Sequence, residues 1–147
     1  MKNDRISVER WLIHENYKFS DIKNEENNFQ IGIKHAGSFG TPIEIFQPKN
    51  QPDVLVVGGK IPLKNRQNAR YLNHNEIEKR NFEKKVGDFC NSIQAIHKFL
   101  DEDGTKIVGV YVVLDDEKKF NQQDFANVIQ QVIEMSEKTN QFLMKTF

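Results

Sequence analysis

The 147-residue chain predicts an α+β fold: a helix, a three-strand antiparallel meander, a helix, a two-strand hairpin and a long C-terminal helix. Three observations carry this. Apolar and polar residues alternate from 29 to 35, the period of a half-buried strand. Segments 75–93 and 121–147 instead place their apolar residues at helical spacing. The connections between the early strands are short, which favours an antiparallel meander over crossovers.

The elements follow in order. Residues 5–17 carry Val8, Trp11, Leu12 and Ile13 at helical spacing, with Asp4 or Ser7 available as N-cap. Residues 20–28 are polar and read as a turn region with a brief strand at its start. Phe29, Ile31, Ile33 and His35 alternate against Gln30, Gly32 and Lys34. A glycine-bearing connector, 36–41, leads to the strand Ile43-Glu44-Ile45-Phe46, and Asn50-Gln51-Pro52-Asp53 turns the chain into 54–61. That third strand is apolar on both faces, with Val54 and Val56 on one side and Leu55, Val57 and Ile61 on the other. A helical turn is expected around Ala69 and Leu72.

The next helix starts near Asn75, with Glu78 as its capping-box partner. Phe82, Val86, Phe89, Cys90 and Ile93 form its apolar stripe. Residues 94–100 fit either a helix extension through Ile96 and Leu100 or a strand face of Ala95, His97 and Phe99. The strand is preferred, because Asp103-Gly104 is a tight-turn signal and a strand follows at 106–114. The last helix opens near Asn121 and runs about 39 Å if unbroken. An eight-residue strand spans about 26 Å. The final two turns, with Phe142, Leu143 and Phe147, therefore need a further apolar partner, within the domain or outside it.

Composition narrows the function classes. Hydrophobic residues make up 37% and charged ones 29%, and eleven Phe supply core bulk, which describes one folded domain over 1–147 rather than a disordered chain. The 21 basic and 21 acidic side chains cancel, so bulk charge recruits neither nucleic acid nor an anionic membrane. A single cysteine, Cys90, agrees with a reducing compartment. No apolar signal core opens the chain and no segment approaches a bilayer span. The expected location is the cytoplasm.

Candidate chemical motifs fail one by one. In Asp53-Val-Leu-Val-Val-Gly-Gly-Lys-Ile61, a phosphate loop would need glycine where Val54 stands and Ser or Thr where Ile61 stands. Gly58 and Gly59 read instead as a bend or bulge near a strand end. Gly37-Ser38-Phe39-Gly40 reads as a hairpin loop. A calcium loop begun at Asp101 would put Lys106 at the glycine position and Val112 at the bidentate Glu position. Asp115-Asp116-Glu117 reads as a solvated strand end. His14, His35, His74 and His97 have no zinc spacing with Cys90. Cys90 itself lies on an apolar helix stripe, where a thiol stays protonated and inert. No catalytic residue, metal ligand or cofactor site is assigned.

Charge segregates locally. Residues 64–85 hold seven basic and three acidic side chains, and residues 101–124 hold seven acidic and three basic. On the helical wheel Lys79, Arg80, Lys84 and Lys85 scatter around the solvent arc, unlike the one-faced basic stripe of a nucleic-acid reader. The two segments could match across a two-fold dimer.

The element order resembles the fold of type III secretion chaperones, and more specifically an uncharacterised, largely archaeal family of single-domain proteins. The likeness rests on Val8-Glu9-Arg10-Trp11-Leu12 with Asn16-Tyr17, on the meander 29–61, and on strand 107–114 plus helix 121–147. It implies dimerisation and binding of an extended or hydrophobic segment of a partner, and carries over no functional residue. The expected function is a non-catalytic protein-interaction or chaperone-like domain, a homodimer, with Phe142, Leu143 and Phe147 as partner or dimer contacts. A small enzyme with a site of scattered polar residues, and a nucleic-acid-associated module using 64–85, are the alternatives.

Overall fold

The computed structural model describes residues 4–37 and 40–147. Helix α1 (Asp4–His14) is followed by strands β1 (Ser20–Asp21), β2 (Asn27–Ala36), β3 (Thr41–Pro48) and β4 (Leu55–Pro62). Helices α2 (Asn65–Leu72) and α3 (Glu76–Ser92) lead to β5 (Ile96–Glu102), β6 (Thr105–Leu114) and α4 (Gln122–Thr146). The strands form a six-stranded sheet of order β1-β2-β3-β4-β6-β5, antiparallel at every pairing. The α+β class and its element order are as the sequence predicts. The sixth strand is the two-residue β1, paired to Ile31 and Gly32 of β2.

Local chemistry sets the boundaries. Asn75 accepts from the Glu78 amide at 2.9 Å while Glu78 returns to the Asn75 amide at 3.0 Å, the capping box that starts α3. Asn121 caps α4 the same way through the Asp124 amide. Asp103 and Gly104 both take positive φ, 52° and 79°, the geometry of a type I′ turn. The ambiguous 94–100 segment is thereby pulled into a hairpin, and it is a strand from Ile96 onward. Asp4 and Ser7, expected as N-caps, both lie inside α1, and the residue before the helix lies outside the described residues, as does the middle of the 37–40 loop. Ile13, grouped by spacing with the α1 core positions, is 66% exposed; Val8 and Leu12 hold the buried side.

All the long helices pack on one face of the sheet. Val8 and Leu12 of α1 and the first half of α4 meet Ile31, Ile33, Ile43, Ile45, Leu55 and Val57. Phe82, Val86 and Cys90 of α3 join Met135 and Leu143 of α4 over Ile61, Val108 and Val110. Helix α4 spans both clusters and crosses β4 at Gly59, where an added Cβ would lie 2.0 Å from Ser136 Oγ. This corrects the bend or bulge expected at Gly58-Gly59. Strand β4 keeps an unbroken register against β6 from Leu55 to Pro62, and its glycines admit side chains instead.

Candidate functional site

Because side chains alternate along a strand, the residues between those of the core point to the opposite face. No described helix lies there. The registers arrange this face in rows across the sheet. One row runs Gln30, Phe46, Val56, Val113, and the next runs Gly32, Glu44, Gly58, Tyr111, Ile96. A third includes Lys60, Gly109 and Lys98. Ile96 is 56% exposed and Val113 38%, while Phe46 and Tyr111 are half-buried. Ile22 folds over Gly32 at the β1 side. The first two rows thus form an apolar patch on an antiparallel sheet whose second face faces water.

Tyr111 organises the centre of the patch. A Cβ at Gly58 would meet its ring at 2.4 Å and one at Gly109 its hydroxyl at 2.4 Å, so the ring lies flat along both glycines. Burial pushes its phenol up, and the Glu44 carboxylate adds to this. It stays protonated, an amphipathic ring with a hydroxyl tip. Beside it, Lys60 reaches Glu44 at 3.1 Å and Glu102 at 2.7 Å. Burial would lower the Lys60 ammonium, but these two carboxylates outweigh it and hold the group protonated. The central charge is neutralised by its neighbours, which leaves the patch close to charge balance.

The last turns of α4, singled out in the sequence, lie elsewhere. Phe142 stacks on Phe89 with centroids 4.4 Å apart, Phe147 packs on Phe82 at 5.0 Å, and Leu143 is fully buried. The partner that α4 needs beyond the sheet is α3 of the same chain. Leu143 offers no surface to another molecule, and Phe142 and Phe147 are half-buried. The excess apolar area lies on the sheet face instead. Val56 is its signal in the sequence, as a position that makes β4 apolar on both sides.

On the other flank of α4 a cleft of about 610 Å³ opens between Pro42, the end of β4 and the helix positions Glu137, Asn140, Gln141 and Met144. Pairing of β3 with β4 stops at Ile43–Gly59, and Pro42 stands where the next partner would be.

A family model described as an uncharacterized conserved protein (DUF2299) matches residues 4–143. The chain belongs to the DUF2299 family. An uncharacterized protein from Methanothermobacter thermautotrophicus shares the DUF2299 chain's fold with a TM-score of 0.77, over 98% of this chain and 99% of that one, at 13% identity. At that identity the likeness shows the fold alone. No curated protein matches the sequence. The expected uncharacterised family is therefore met, with an archaeal structure among its likenesses.

The remaining polar groups of this DUF2299 chain are structural in their contacts. Lys106, nearly buried, pairs with Glu83 at 3.0 Å and lies over the rings of Tyr71 and Phe99. Tyr71 donates to the same carboxylate at 3.1 Å. Burial pushes the Cys90 thiol up, with a smaller opposing effect from Thr139, which is the reverse of what a nucleophile needs. His97 packs edge-on against Phe99, and His14 and His35 are exposed. Among the described residues no three His, Cys, Asp or Glu side chains converge as metal ligands. From the basic segment, Arg70 lies over Phe147, Lys79 over Tyr71, and Lys84 pairs with Asp88, three separate local contacts.

Proposed function

We propose that this protein is a cytoplasmic, non-catalytic protein-interaction domain that works as a homodimer through the helix-free face of its sheet. The observation that carries the reading is the apolar row of Phe46, Val56 and Val113 beside Tyr111 and Ile96, on a face that no described helix covers and where Ile96 and Val113 are exposed. A contiguous patch of a few hundred Å² marks an interaction site in soluble proteins. Five long strands at about 4.8 Å spacing and eight residues each present a face of about 600 Å² in flat projection. Side-chain relief adds to that figure and approaches the roughly 800 Å² per partner of a standard interface. A two-fold dimer places this face on its own copy, apolar rows together, with Lys60 already neutralised by Glu44 and Glu102. Dispersal of the basic side chains of 64–85 among local contacts favours this reading over nucleic-acid binding.

Size-exclusion chromatography with light scattering tests it. The wild type is expected at twice the 17.2 kDa chain mass. Ile96→Lys with Val113→Lys, both at exposed positions, is expected to be monomeric while keeping the wild-type far-UV circular dichroism and a cooperative melt, lowered only by the lost association. A monomeric wild type, or a dimer that survives both lysines, overturns the proposal.

A further inference from the structure

A pocket with basic walls lies at the β1–β2 margin of the sheet, and a β-bulge opposite Pro42 builds one side of it. Pro42 has no N–H for the ladder, and β2 holds two residues opposite it, Lys34 and His35, between the pairs Ile33–Ile43 and Ala36–Thr41. Ile33 and Ala36 are both buried in the core. The bulge therefore breaks the alternation and turns two consecutive side chains, Lys34 and His35, out to solvent. On the other side α1 ends in a Schellman motif. The Asn16 amide donates to the Ile13 carbonyl at 3.0 Å and the Tyr17 amide to the Leu12 carbonyl at 2.9 Å, with Asn16 at φ 63°. That turn occupies two of the helix's last carbonyls and sends the chain antiparallel to β2.

Ser20 pairs with Gly32, and the same register carried back along the chain sets Lys18 against Lys34. Like charges directly opposite one another on a sheet are destabilising. Among the described residues neither lysine is in an ion pair that would offset this. The two segments border a pocket of about 450 Å³, with 16–20 on one side and Gly32, Lys34 and His35 on the other. Its polar side chains are Asn16, Tyr17, Lys18, Ser20, Lys34 and His35; all can donate a hydrogen bond, and none is a carboxylate. Burial, and then Glu15, push the Tyr17 phenol up, so it keeps its proton. The cleft beside α4, by contrast, sets Glu137 among its lysines.

We propose that this pocket seats the phosphate group of a small ligand, either free phosphate or a phosphomonoester. Two ammonium groups set against each other call for a dianion, and a phosphate brings that charge with three strong acceptor oxygens. A carboxylate, with one charge and two oxygens, would leave one lysine unmatched. Lys18 and Lys34 meet the phosphate from the two segments, and Asn16, Ser20 and His35 supply further donors around it. The half-buried Tyr17 ring gives the organic part of a monoester an apolar wall. The pocket stands apart from sheet-face pairing, because Ile96 and Val113 lie on β5 and β6 at the opposite end of the strand order.

Titration of the full chain with inorganic phosphate, methyl phosphate and phenyl phosphate, followed by amide NMR shifts at constant ionic strength, tests it. Saturable shifts are expected at Lys18, Ser20, Gly32 and Lys34. Tighter binding of phenyl phosphate assigns a monoester and equal binding of all three assigns free phosphate; either result supports the seat. Lys18→Met is expected to weaken binding about tenfold, the order for one charge-assisted contact. Lys34→Glu turns the like-charged pair into an opposite one. It is expected to abolish binding while its melting temperature stays at or above that of the wild type. The Ile96→Lys, Val113→Lys protein is expected to bind phosphate as the wild type does, so loss of the dimer and loss of this site are read separately. No saturable shift from any of the three compounds at tens of millimolar overturns the proposal. So do matching shifts from sodium chloride, or binding that survives Lys34→Glu.

Discussion

Gly59 and Ser136 fix the depth at which α4 sits on the sheet. A methyl at Gly59 would overlap Ser136 Oγ, which is buried and donates to the Val132 carbonyl at 2.8 Å. Gly59→Ala is expected to cost about 1–3 kcal/mol in urea unfolding, the range for an overpacked core. Ser136→Ala removes the clashing oxygen and is expected to restore much of that loss when combined; strictly additive effects would show that the two sites are not in contact. The Lys106–Glu83–Tyr71 group is the second such point. Burial lowers the Lys106 ammonium, but hydrogen bonds to Glu83 and Tyr71 outweigh it, so the folded value lies above the usual 10.5. Burial also leads the rise at Tyr71 above 10.0. A raised folded value gives stability that is complete below the unfolded value and is lost as pH rises through the folded one. Unfolding free energy is therefore expected to fall above about pH 10, and Lys106→Met is expected to flatten that fall; an unchanged slope would remove Lys106 from the account. These contacts were not legible in the sequence. Lys106 sat in a strand as one charge among many, and its partners lie 23 and 35 residues away.

The elements themselves were largely legible, because each carries its own signal. The Asn75–Glu78 box, the Asp103-Gly104 turn and the α3 stripe are local chemistry, and local chemistry survives in any context. What covers an apolar residue is not local. The pattern of Phe142, Leu143 and Phe147 calls for apolar cover beyond the sheet without saying whose, and Phe82 and Phe89 of α3, more than fifty residues earlier, pack on Phe147 and Phe142. Leu143→Ala is accordingly expected to lower stability by about 2–5 kcal/mol, as for a fully buried leucine, without altering oligomeric state. A loss below 1 kcal/mol would mean that the α3–α4 contact is loose. Strands β4 and β6 posed the converse problem. Val56 and Val113 have the same pattern whether their face meets a helix, a ring or water, and the sheet places Val56 beside Tyr111's row and leaves Val113 open.

At the scale of the molecule, all four α-helices pack into the core clusters on one face of the sheet, and no described helix covers the other. The candidate surface was thus partly visible as excess apolar area in the sequence, but its position depended on which side α4 would choose. That choice is set by Gly59 facing Ser136, a pairing of residues 77 apart. If the helix-free face meets a second copy of itself, a dilution series followed by amide NMR is expected to shift Ile96, Tyr111 and Val113 with protein concentration while 142–147 stay fixed. Invariant spectra from micromolar to millimolar protein, or shifts confined to the end of α4, would contradict it.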